Sequence, residues 1–381
     1  MEKINVLINY HYFPHYRIPI MRSLSNSTKL NVKFISGDVT DVQIKIIDHK
    51  IVTENKFNWA KVKNIWFLGK KFLWQKGILK IFLFENYDCA IVLANPYIIS
   101  SWVTIFIAKI RKKKVLLWGH FILNKDFKLP IKLMYYRLAD CLLSYGEWAK
   151  QELIKRNFCQ EKIFVIFNSL DTDYQYYVRE KIKAEDLIIR KNQLFKDATL
   201  PVIIFVGRLT IRKKLDLLIH SLAYLQKRGT RANLLIVGAG TARESIDRLI
   251  DFYNLHDNVM FIGEIYDETC LAELLALSDV CVSPGDVGLL AMHSLVYGTP
   301  VISHDNPYKQ MPEFESIIPQ KTGDFYQANS IESLANTIEN WLDKKKKNPK
   351  IQSYCKKIID ERYTPKNQLR IIIKAIDSIL N

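Results

Sequence analysis

Two basic side chains, Arg208 and Lys213, are the residues of this sequence best suited to hold a diphosphate. They follow the apolar run Val202–Val206, which is typical of a buried strand, and Gly207 ends that run. Arg208 offers a planar fork of hydrogen-bond donors, and Lys213 offers a compact charge five residues later. The two side chains therefore predict a clamp that holds a diphosphate from two sides, although a basic loop alone is a weak signal.

A second candidate anion site lies in residues 280–302, where the sequence has the pattern of strand, glycine loop, helix, turn and strand. Pro284 and Gly285 end an apolar run, and Gly288 precedes apolar residues at helical spacing. The first turn of such a helix presents free N–H groups and the positive end of the helix dipole, an arrangement that binds phosphate. An ordinary turn between a strand and a helix has the same pattern, and spacing alone does not separate the two interpretations.

Two other short motifs are weaker indications of a binding site. Gly238-Ala239-Gly240 begins like a dinucleotide-binding fingerprint, but Arg243 occupies the position of its third glycine, so we do not predict an NAD-binding domain. The two glycines still allow close approach of the backbone. Asp171-Thr172-Asp173 is a DxD pattern, which is too short to predict a metal site.

The elements that must position these residues alternate along the chain. Both halves alternate strand-like and helix-like patterns, which predicts a parallel sheet with helices on both faces in each half. A length of 381 residues suits two domains. We therefore predict an α/β protein with an N-terminal domain over residues 1–173, a polar linker over 174–199, a C-terminal domain over 200–360 and a final helix over 361–381 that packs back on the N-terminal domain.

The positive charge of the chain lies mainly in its first half. Residues 1–190 have a formal net charge of +14 and residues 191–381 of +2, which favours a polyanionic partner such as an anionic membrane or a nucleic acid. Within the basic half, Lys56–Phe84 interleaves aromatic residues with lysines, a composition suited to the interface of an anionic bilayer. An amphipathic helix packed on the sheet is nearly as good an interpretation, and binding to single-stranded nucleic acid is the weakest of the three.

The cysteines and the apolar stretches indicate the compartment. None of the six cysteines forms a CxxC pair, so we expect buried free thiols in a reducing environment. The first residues are too short and too polar a run for a signal peptide. The longest apolar stretch, Cys89–Ile110, is split by Asn95-Pro96 into pieces shorter than the roughly 20 residues of a spanning helix. These features predict a cytoplasmic protein.

The order of the motifs resembles that of a known family. The motifs are Gly207-Arg208-Leu209 with Lys213, Gly238-Ala239-Gly240, residues 280–302, Met311–Phe314 and Lys321–Gly323. Together they resemble the retaining nucleotide-sugar glycosyltransferases of family 4, which have the GT-B fold of two Rossmann-like domains facing each other across a cleft. The clear resemblance covers residues 202–325, and residues 168–171 resemble a turn of that family. The N-terminal half agrees only in its alternating pattern, as an acceptor-binding domain would.

The resemblance implies roles for individual residues. Arg208 and Lys213 would hold the donor diphosphate and stabilise the charge of the leaving nucleotide. His120 would lie beside the transferred sugar, although a lone histidine at a strand end can instead bond to the backbone. His120 and Asp286 are the implied catalytic residues. The implied donor-binding residues are Gly207, Arg208, Lys213, Gly238, Gly240, Ile265, Gly288, Leu289 and His293. His11 and His15 are weaker candidates for the acceptor side.

The sequence departs from the family pattern at three positions. The usual Glu-x7-Glu pair would fall on Gly285 and His293, and Lys214 stands where the family usually has glycine. Asp286 is adjacent to the first of these positions and is expected to reach the sugar with its carboxylate. His293 shares a helix face with Leu289, and we expect its neutral imidazole to bond a ribose hydroxyl. The alternative is that His293 is a core residue.

The resemblance also implies a function. We expect a transferase that moves a sugar from a nucleotide-sugar donor, with retained anomeric configuration, to a lipid-linked or saccharide acceptor. Bacterial surface polysaccharide assembly (capsule, O-antigen or lipopolysaccharide) is the implied setting, and the inner face of the cell membrane is the implied location. We expect no cofactor, no metal and no nucleic acid partner. A non-catalytic subunit that binds the nucleotide-sugar is the alternative, because the glutamate pair is lost.

Overall fold

The structure, a computed structural model, describes residues 2–37, 45–121 and 128–380 and divides into two compact units. The first unit comprises Met1–Asp171 and Thr364–Asn381, and the second comprises Thr172–Tyr363. Each unit contains a parallel sheet with helices between successive strands, as the alternating patterns predict.

The sheet of the first unit brings the ends of separate strands to one edge. The strands are β1 Ile4–Asn9, β2 Leu30–Ser36, β3 Trp59–Lys61, β4 Lys63–Phe67, β5 Phe72–Lys76, β6 Cys89–Leu93, β7 Lys114–Gly119, β8 Cys141–Ser144 and β9 Ile163–Val165. The helices are α1 Ile18–Ser25, α2 His49–Glu54, α3 Ile78–Phe84, α4 Ile99–Ile110, α5 Leu129–Tyr136 and α6 Glu147–Ile154. In the described ranges the strand order is β3-β2-β1-β6-β7-β8-β9. The order reverses between β1 and β6, and α/β sheets bind ligands at the carboxyl ends of the strands beside such a reversal.

Two apolar cores cover the faces of this sheet. Side chains alternate along a strand, so Val6 and Ile8 of β1 pack in one core while Leu7 packs in the other. The last helix, α15 Pro365–Leu380, contributes Ile372 and Ile376 to the first of these cores. The helix at the end of the chain is thus an integral part of the first unit.

Residues 56–84 form an antiparallel hairpin followed by a short helix, not one amphipathic helix. In the hairpin β4 pairs with β5, and the segment begins with strand β3 and ends with α3. The reason is the period-2 alternation from Lys63 to Phe67, which is typical of a strand with one buried face. Asn64 and Gln75 lie on the buried face and donate hydrogen bonds to the carbonyl oxygens of His11 at 2.7 Å and Tyr10 at 2.9 Å. The hairpin therefore covers the chain just beyond the carboxyl end of β1.

The second unit repeats the parallel arrangement. Its strands are β10 Val202–Val206, β11 Asn233–Val237, β12 Val259–Gly263, β13 Val280–Ser283, β14 Val301–His304 and β15 Gly323–Tyr326. Its helices are α7 Thr172–Lys181, α8 Ala184–Leu194, α9 Leu215–Lys227, α10 Arg243–Tyr253, α11 Glu268–Leu277, α12 Leu289–Val296, α13 Ile331–Lys347 and α14 Lys350–Arg362. The strand order among the described residues is β12-β11-β10-β13-β14-β15, with its reversal between β10 and β13.

The predicted linker over 174–199 is mostly helical. It contains most of α7 and all of α8, and both belong to the second unit. Thr172, Gln175 and Val178 are buried at spacings of three residues, so α7 has a packed face despite its polar composition. No helix in the described ranges is both long enough and apolar enough to span a bilayer.

Candidate functional site

In the second unit, loops after three neighbouring strands line a cavity of about 160 Å³. Gly207 and Arg208 follow β10, Gly238 follows β11, and Ile265 lies in the loop after β12. The carboxyl ends of parallel strands meet at one sheet edge, so residues far apart in sequence converge here. Tyr266 lines the same cavity and is 89% exposed.

Gly238 is required by the contact between two of these loops. A Cβ atom at Gly238 would lie 2.0 Å from the carbonyl oxygen of Gly207, and its φ of +135° disfavours other residues. The amide of Gly207 donates to Val237 O at 2.9 Å, and that of Leu209 donates to Ala239 O at 2.9 Å. The loop that carries Arg208 is therefore fixed by the loop that carries Gly238 and Gly240.

Lys213 binds Asp286 in the loop after β13. Its Nζ donates to the backbone oxygen of Asp286 at 2.7 Å and lies 3.3 Å from Oδ1. Nη2 of Arg212 donates to the other carboxylate oxygen at 2.8 Å. The Asp286 side chain is only 9% exposed, so two cations compensate its burial.

Position 285 has no room for a side chain. A Cβ atom at Gly285 would lie 2.3 Å from the carbonyl oxygen of Arg212 and 2.7 Å from Cα of Lys213. The first glutamate of the family pattern would fall at this position. Because the two loops approach so closely, a glutamate side chain would not fit here. Asp286, one residue later, supplies a carboxylate to the same loop contact.

The glycine loop ends at Gly288, where α12 begins with Leu289. Both residues are half-buried, and the first-turn N–H groups are not used by the helix itself. Val287 N donates to Gln310 Oε1 at 2.8 Å, and Ser303 Oγ donates to the carbonyl oxygen of Gly285 at 3.2 Å. The loop is thus fixed by side chains from the chain after β13, which sequence spacing did not indicate.

His293 is part of a hydrogen-bond network around Glu268. Its Nε2 lies 2.8 Å from Glu268 Oε1, which also accepts hydrogen bonds from Tyr297 OH and from Gln175 Nε2 at 3.2 Å. Burial tends to raise the pKa of Glu268, but the hydrogen bonds from these partners outweigh it and lower the pKa. The network connects α7, α11 and α12. Because Glu268 occupies Nε2 of His293, a ribose hydroxyl would bond to Nδ1 unless it displaced Glu268.

Lys214 occupies a left-handed backbone conformation, with φ of 51° and ψ of 42°. Glycine adopts this conformation without the steric cost that a Cβ atom brings. The family that this sequence resembles usually has glycine at this position, and the left-handed conformation explains that preference. In this protein the lysine adopts the same conformation at some cost in stability.

In the first unit, His120 and His11 line a cavity of about 340 Å³ at the carboxyl edge of the sheet. His120 follows β7, and its ring centroid lies 4.9 Å from that of Tyr145. Burial, reinforced by the nearby charge of Arg17, lowers the pKa of His120 to about 4, so the imidazole is neutral near pH 7. His15 is exposed and is absent from the residues that line this cavity.

Arg17, which the sequence did not single out, also lines this cavity. The residue is 5% exposed, and its Cζ lies within 5.2 Å of the ring centroids of Tyr10, Trp118 and Tyr145. Trp118 and Tyr145 lie more than 100 positions after Tyr10 and Arg17, so the spacing of the four residues carries no signal. Among the described residues, no group of three or more His, Cys, Asp or Glu side chains is placed to hold a metal ion.

Residues 188–358 match the family model of Glycosyl transferases group 1. This stretch contains the whole sheet of the second unit and both loops with Arg208, Lys213 and Asp286. The candidate nucleotide site therefore lies within the matched stretch.

Two curated relatives align with part of the chain. Over 136 residues it is 26% identical to the alpha-D-kanosaminyltransferase of Streptomyces kanamyceticus, with 34% of this chain and 35% of the relative covered. Over 116 residues it is 34% identical to the GDP-mannose-dependent alpha-(1-6)-phosphatidylinositol dimannoside mannosyltransferase of Mycobacterium tuberculosis, with 30% and 29% covered. The chain therefore spans about a third of the length of the curated relatives it matches.

The likeness to solved structures extends over nearly the whole chain. The crystal structure of Anabaena HepE in complex with UDP superimposes with a TM-score of 0.74 at 17% identity, covering 99% of this chain and all of the other. At this identity the likeness shows the fold alone. A glycosyltransferase from Rickettsia africae superimposes with a TM-score of 0.76 at 18% identity, covering all of both chains. The predicted α/β fold class with two Rossmann-like halves is confirmed.

Proposed function

We propose that the protein is a glycosyltransferase that uses a nucleotide-sugar donor and retains the anomeric configuration. One observation carries the proposal. Within the stretch that matches Glycosyl transferases group 1, loops from neighbouring strands bring Gly207, Arg208, Gly238 and Ile265 around one cavity, and Lys213 lies in the first of these loops. A nucleoside diphosphate suits this arrangement, because backbone at the cavity meets the base while cations meet the phosphates.

The proposed chemistry is mainly electrostatic. As the bond between sugar and diphosphate breaks, negative charge grows on the leaving phosphate oxygens. Lys213 is held by Asp286 before the reaction, and the backbone of the loop that carries Arg208 is held by the loop with Gly238, so we propose that both cations stabilise this charge. The N-terminus of α12 at Gly288 and Leu289 adds partial positive charge. Because these groups supply the positive charge, we propose that no metal is required.

His120 and Asp286 are proposed to act near the transferred sugar. The pKa of about 4 keeps His120 neutral, so we propose that it donates or accepts a hydrogen bond and does not act as a cationic acid. Asp286 is held by Arg212 and Lys213, and these contacts support a role in orienting Lys213 in addition to its proposed contact with the sugar.

A donor screen tests the proposal. Purified protein is incubated with UDP-, GDP-, dTDP- and CMP-sugars, and hydrolysis and thermal stabilisation are measured. We expect one nucleotide class to stabilise the protein and to be hydrolysed slowly, with the effect reduced in Arg208→Ala. Absence of stabilisation by every nucleotide would reject the donor site.

A non-catalytic nucleotide-sugar-binding subunit is the second candidate. The observation that favours it is the loss of both glutamates, at Gly285 and His293. In that case a nucleotide-sugar would bind and stabilise the protein but would not be hydrolysed or transferred. A transfer assay with lipid-linked and soluble saccharide acceptors separates the two candidates.

The acceptor is proposed to be lipid-linked or a saccharide, in bacterial surface polysaccharide assembly at the inner face of the membrane. The β4–β5 hairpin supports membrane contact. Ile65 and Phe67 are 40% and 39% exposed, and Leu68 at the turn is 69% exposed. Lys70 and Lys71 follow after Gly69 and are exposed. An apolar turn bordered by lysines suits the interface of an anionic bilayer, where each lysine contributes roughly 1 kcal/mol.

Vesicle sedimentation tests this contact. We expect the protein to sediment with anionic vesicles, to be released by high salt, and to lose binding in Leu68→Ser and in Lys70→Glu. Phe252→Ser and Lys227→Glu are matched controls, because both residues are exposed in the second unit. Equal binding to neutral and anionic vesicles, or equal loss in the controls, would contradict the proposed surface. Tighter binding to oligonucleotides would favour a nucleic acid partner.

A further inference from the structure

Arg17 is a buried cation that lacks an anionic partner. It is 5% exposed, and within the described ranges it forms no ion pair with a carboxylate. Its Nη2 donates to Tyr145 OH, while Nε and Nη1 are buried without a hydrogen-bond acceptor. A guanidinium does not lose its proton in a protein, so its charge persists in this apolar surrounding.

Two other buried charges among the described residues are paired. The Glu152 side chain, 6% exposed, binds Lys155 at 2.9 Å and Arg156 at 2.8 Å. Asp286 is held by Arg212 and Lys213 in the same way. A buried charge is costly unless it is paired, so Arg17 is the one of these three sites where a partner from outside the chain would complete the pairing.

Arg17 lies among aromatic residues and also lines a cavity. Tyr10, Trp118 and Tyr145 stack against the guanidinium at 5.0–5.2 Å, which supplies cation–π attraction but no anion. The cavity of about 340 Å³ is lined by Arg17 together with His11, His120 and Asn95, and no aspartate or glutamate is among its described lining residues. Its wall is therefore positive and rich in hydrogen-bond donors.

We propose that Arg17 binds an oxyanion, a phosphate or a carboxylate, carried by the acceptor that enters this cavity. The proposal rests on the transferase function proposed above and specifies an acidic acceptor. The donor diphosphate already has Arg208 and Lys213 as proposed cations, so Arg17 is available for the second substrate.

His120 provides a local reporter for this site, because it lines the same cavity and is distinct from the donor loops. In full-length protein labelled with 13C-histidine, its Cε1–H resonance is assigned from the spectrum of His120→Gln. The probes are inorganic pyrophosphate, D-glucuronate and, as a neutral control, D-glucose. The two acidic probes separate a phosphate from a carboxylate as the recognised group.

We expect at least one acidic probe, but not glucose, to shift the His120 resonance saturably. Arg17→Gln should raise the Kd of that probe at least tenfold, and Arg17→Lys, which keeps the charge, should raise it less. Arg208→Ala should leave this shift unchanged. If Arg17→Gln does not fold, the wild-type titration and Arg17→Lys still test the proposal.

Three results would overturn it. Acidic probes that leave His120 unshifted, or that shift it equally without Arg17, would show that Arg17 only supports the aromatic residues. A shift produced by UDP alone, lost in Arg17→Gln, would assign Arg17 to the donor diphosphate. The affinity for UDP is measured in parallel in the wild type and in Arg208→Ala. If Arg208→Ala does not weaken UDP binding, the donor site fails, whatever the result for Arg17.

Discussion

Replacing Lys213 by alanine should weaken nucleoside diphosphate binding and destabilise the second unit, whereas replacing Arg208 should only weaken binding. Both cations are proposed to bind the same diphosphate, but their contacts in the protein differ. Lys213 Nζ donates to the backbone oxygen of Asp286 and lies 3.3 Å from its carboxylate. Arg208 is exposed and forms no ion pair within the described residues.

The magnitudes follow from these contacts. A hydrogen bond to a charged group contributes about 1.5–3 kcal/mol, so each variant should bind UDP or GDP roughly 10- to 150-fold more weakly. The Lys213 side chain is 25% exposed and that of Asp286 is 9% exposed, so Lys213→Ala leaves a largely buried carboxylate with one cation. We expect a loss of about 1–3 kcal/mol in the free energy of unfolding, with Tm falling roughly 2–4 °C per kcal/mol.

Titration calorimetry with UDP and GDP, together with differential scanning calorimetry, measures both effects. Arg212→Ala is the matched control, because Arg212 binds the same carboxylate but its side chain is 71% exposed. Its loss should cost less than about 1 kcal/mol and leave nucleotide affinity near that of the wild type. Wild-type affinity in both Lys213→Ala and Arg208→Ala would refute the diphosphate clamp. An unchanged Tm in Lys213→Ala would refute its structural role.

Three further outcomes are expected. Because burial lowers the pKa of His120 to about 4, the unfolded chain binds a proton between about pH 6.5 and 4 that the folded protein does not. The free energy of unfolding should therefore fall by up to about 3 kcal/mol as pH drops through that window, and less in His120→Gln, as denaturant titrations at several pH values would show. Lys214→Gly should raise Tm or leave it unchanged while Lys214→Val lowers it, because the left-handed backbone there costs a β-branched residue most, and equal Tm values in all three would reject that reasoning. His293→Ala should mainly raise the donor KM and Asp286→Ala should mainly lower kcat, whereas a lower Tm with unchanged KM would make His293 a core residue bonded to Glu268.

The strands that could be predicted from the sequence are apolar runs with clearly marked ends. In the second unit, apolar runs such as Val202–Val206 and Val280–Ser283 are bounded by glycine, proline or charged residues, so their ends are marked. The hairpin of β4 and β5 was harder to predict, because its aromatic residues fit a helical face as well as the alternation of a strand. Strand β15 is four residues long and begins at Gly323, which gives too little pattern to detect.

Side-chain networks between distant residues were not predictable. His293 and Glu268 are 25 positions apart, and nothing in either local pattern indicates their 2.8 Å contact. Arg17 and Tyr145 are 128 positions apart and meet only because β1 and β8 end at the same sheet edge. By contrast, the proposed diphosphate clamp could be predicted from one loop, because Arg208 and Lys213 are only five positions apart in the sequence.

Helix α15 returns to the first unit only after the chain has passed through residues 172–363. During translation the ribosome therefore delivers a complete second unit before Ile372 and Ile376, which fill the first core, have been made. At a translation rate of roughly 5–20 residues per second, the apolar surface that α15 covers remains exposed for about 10–40 s. Over that interval the nascent chain presents a complete sheet with part of one apolar face uncovered, and a stop codon placed before Ile372 would make that exposure permanent.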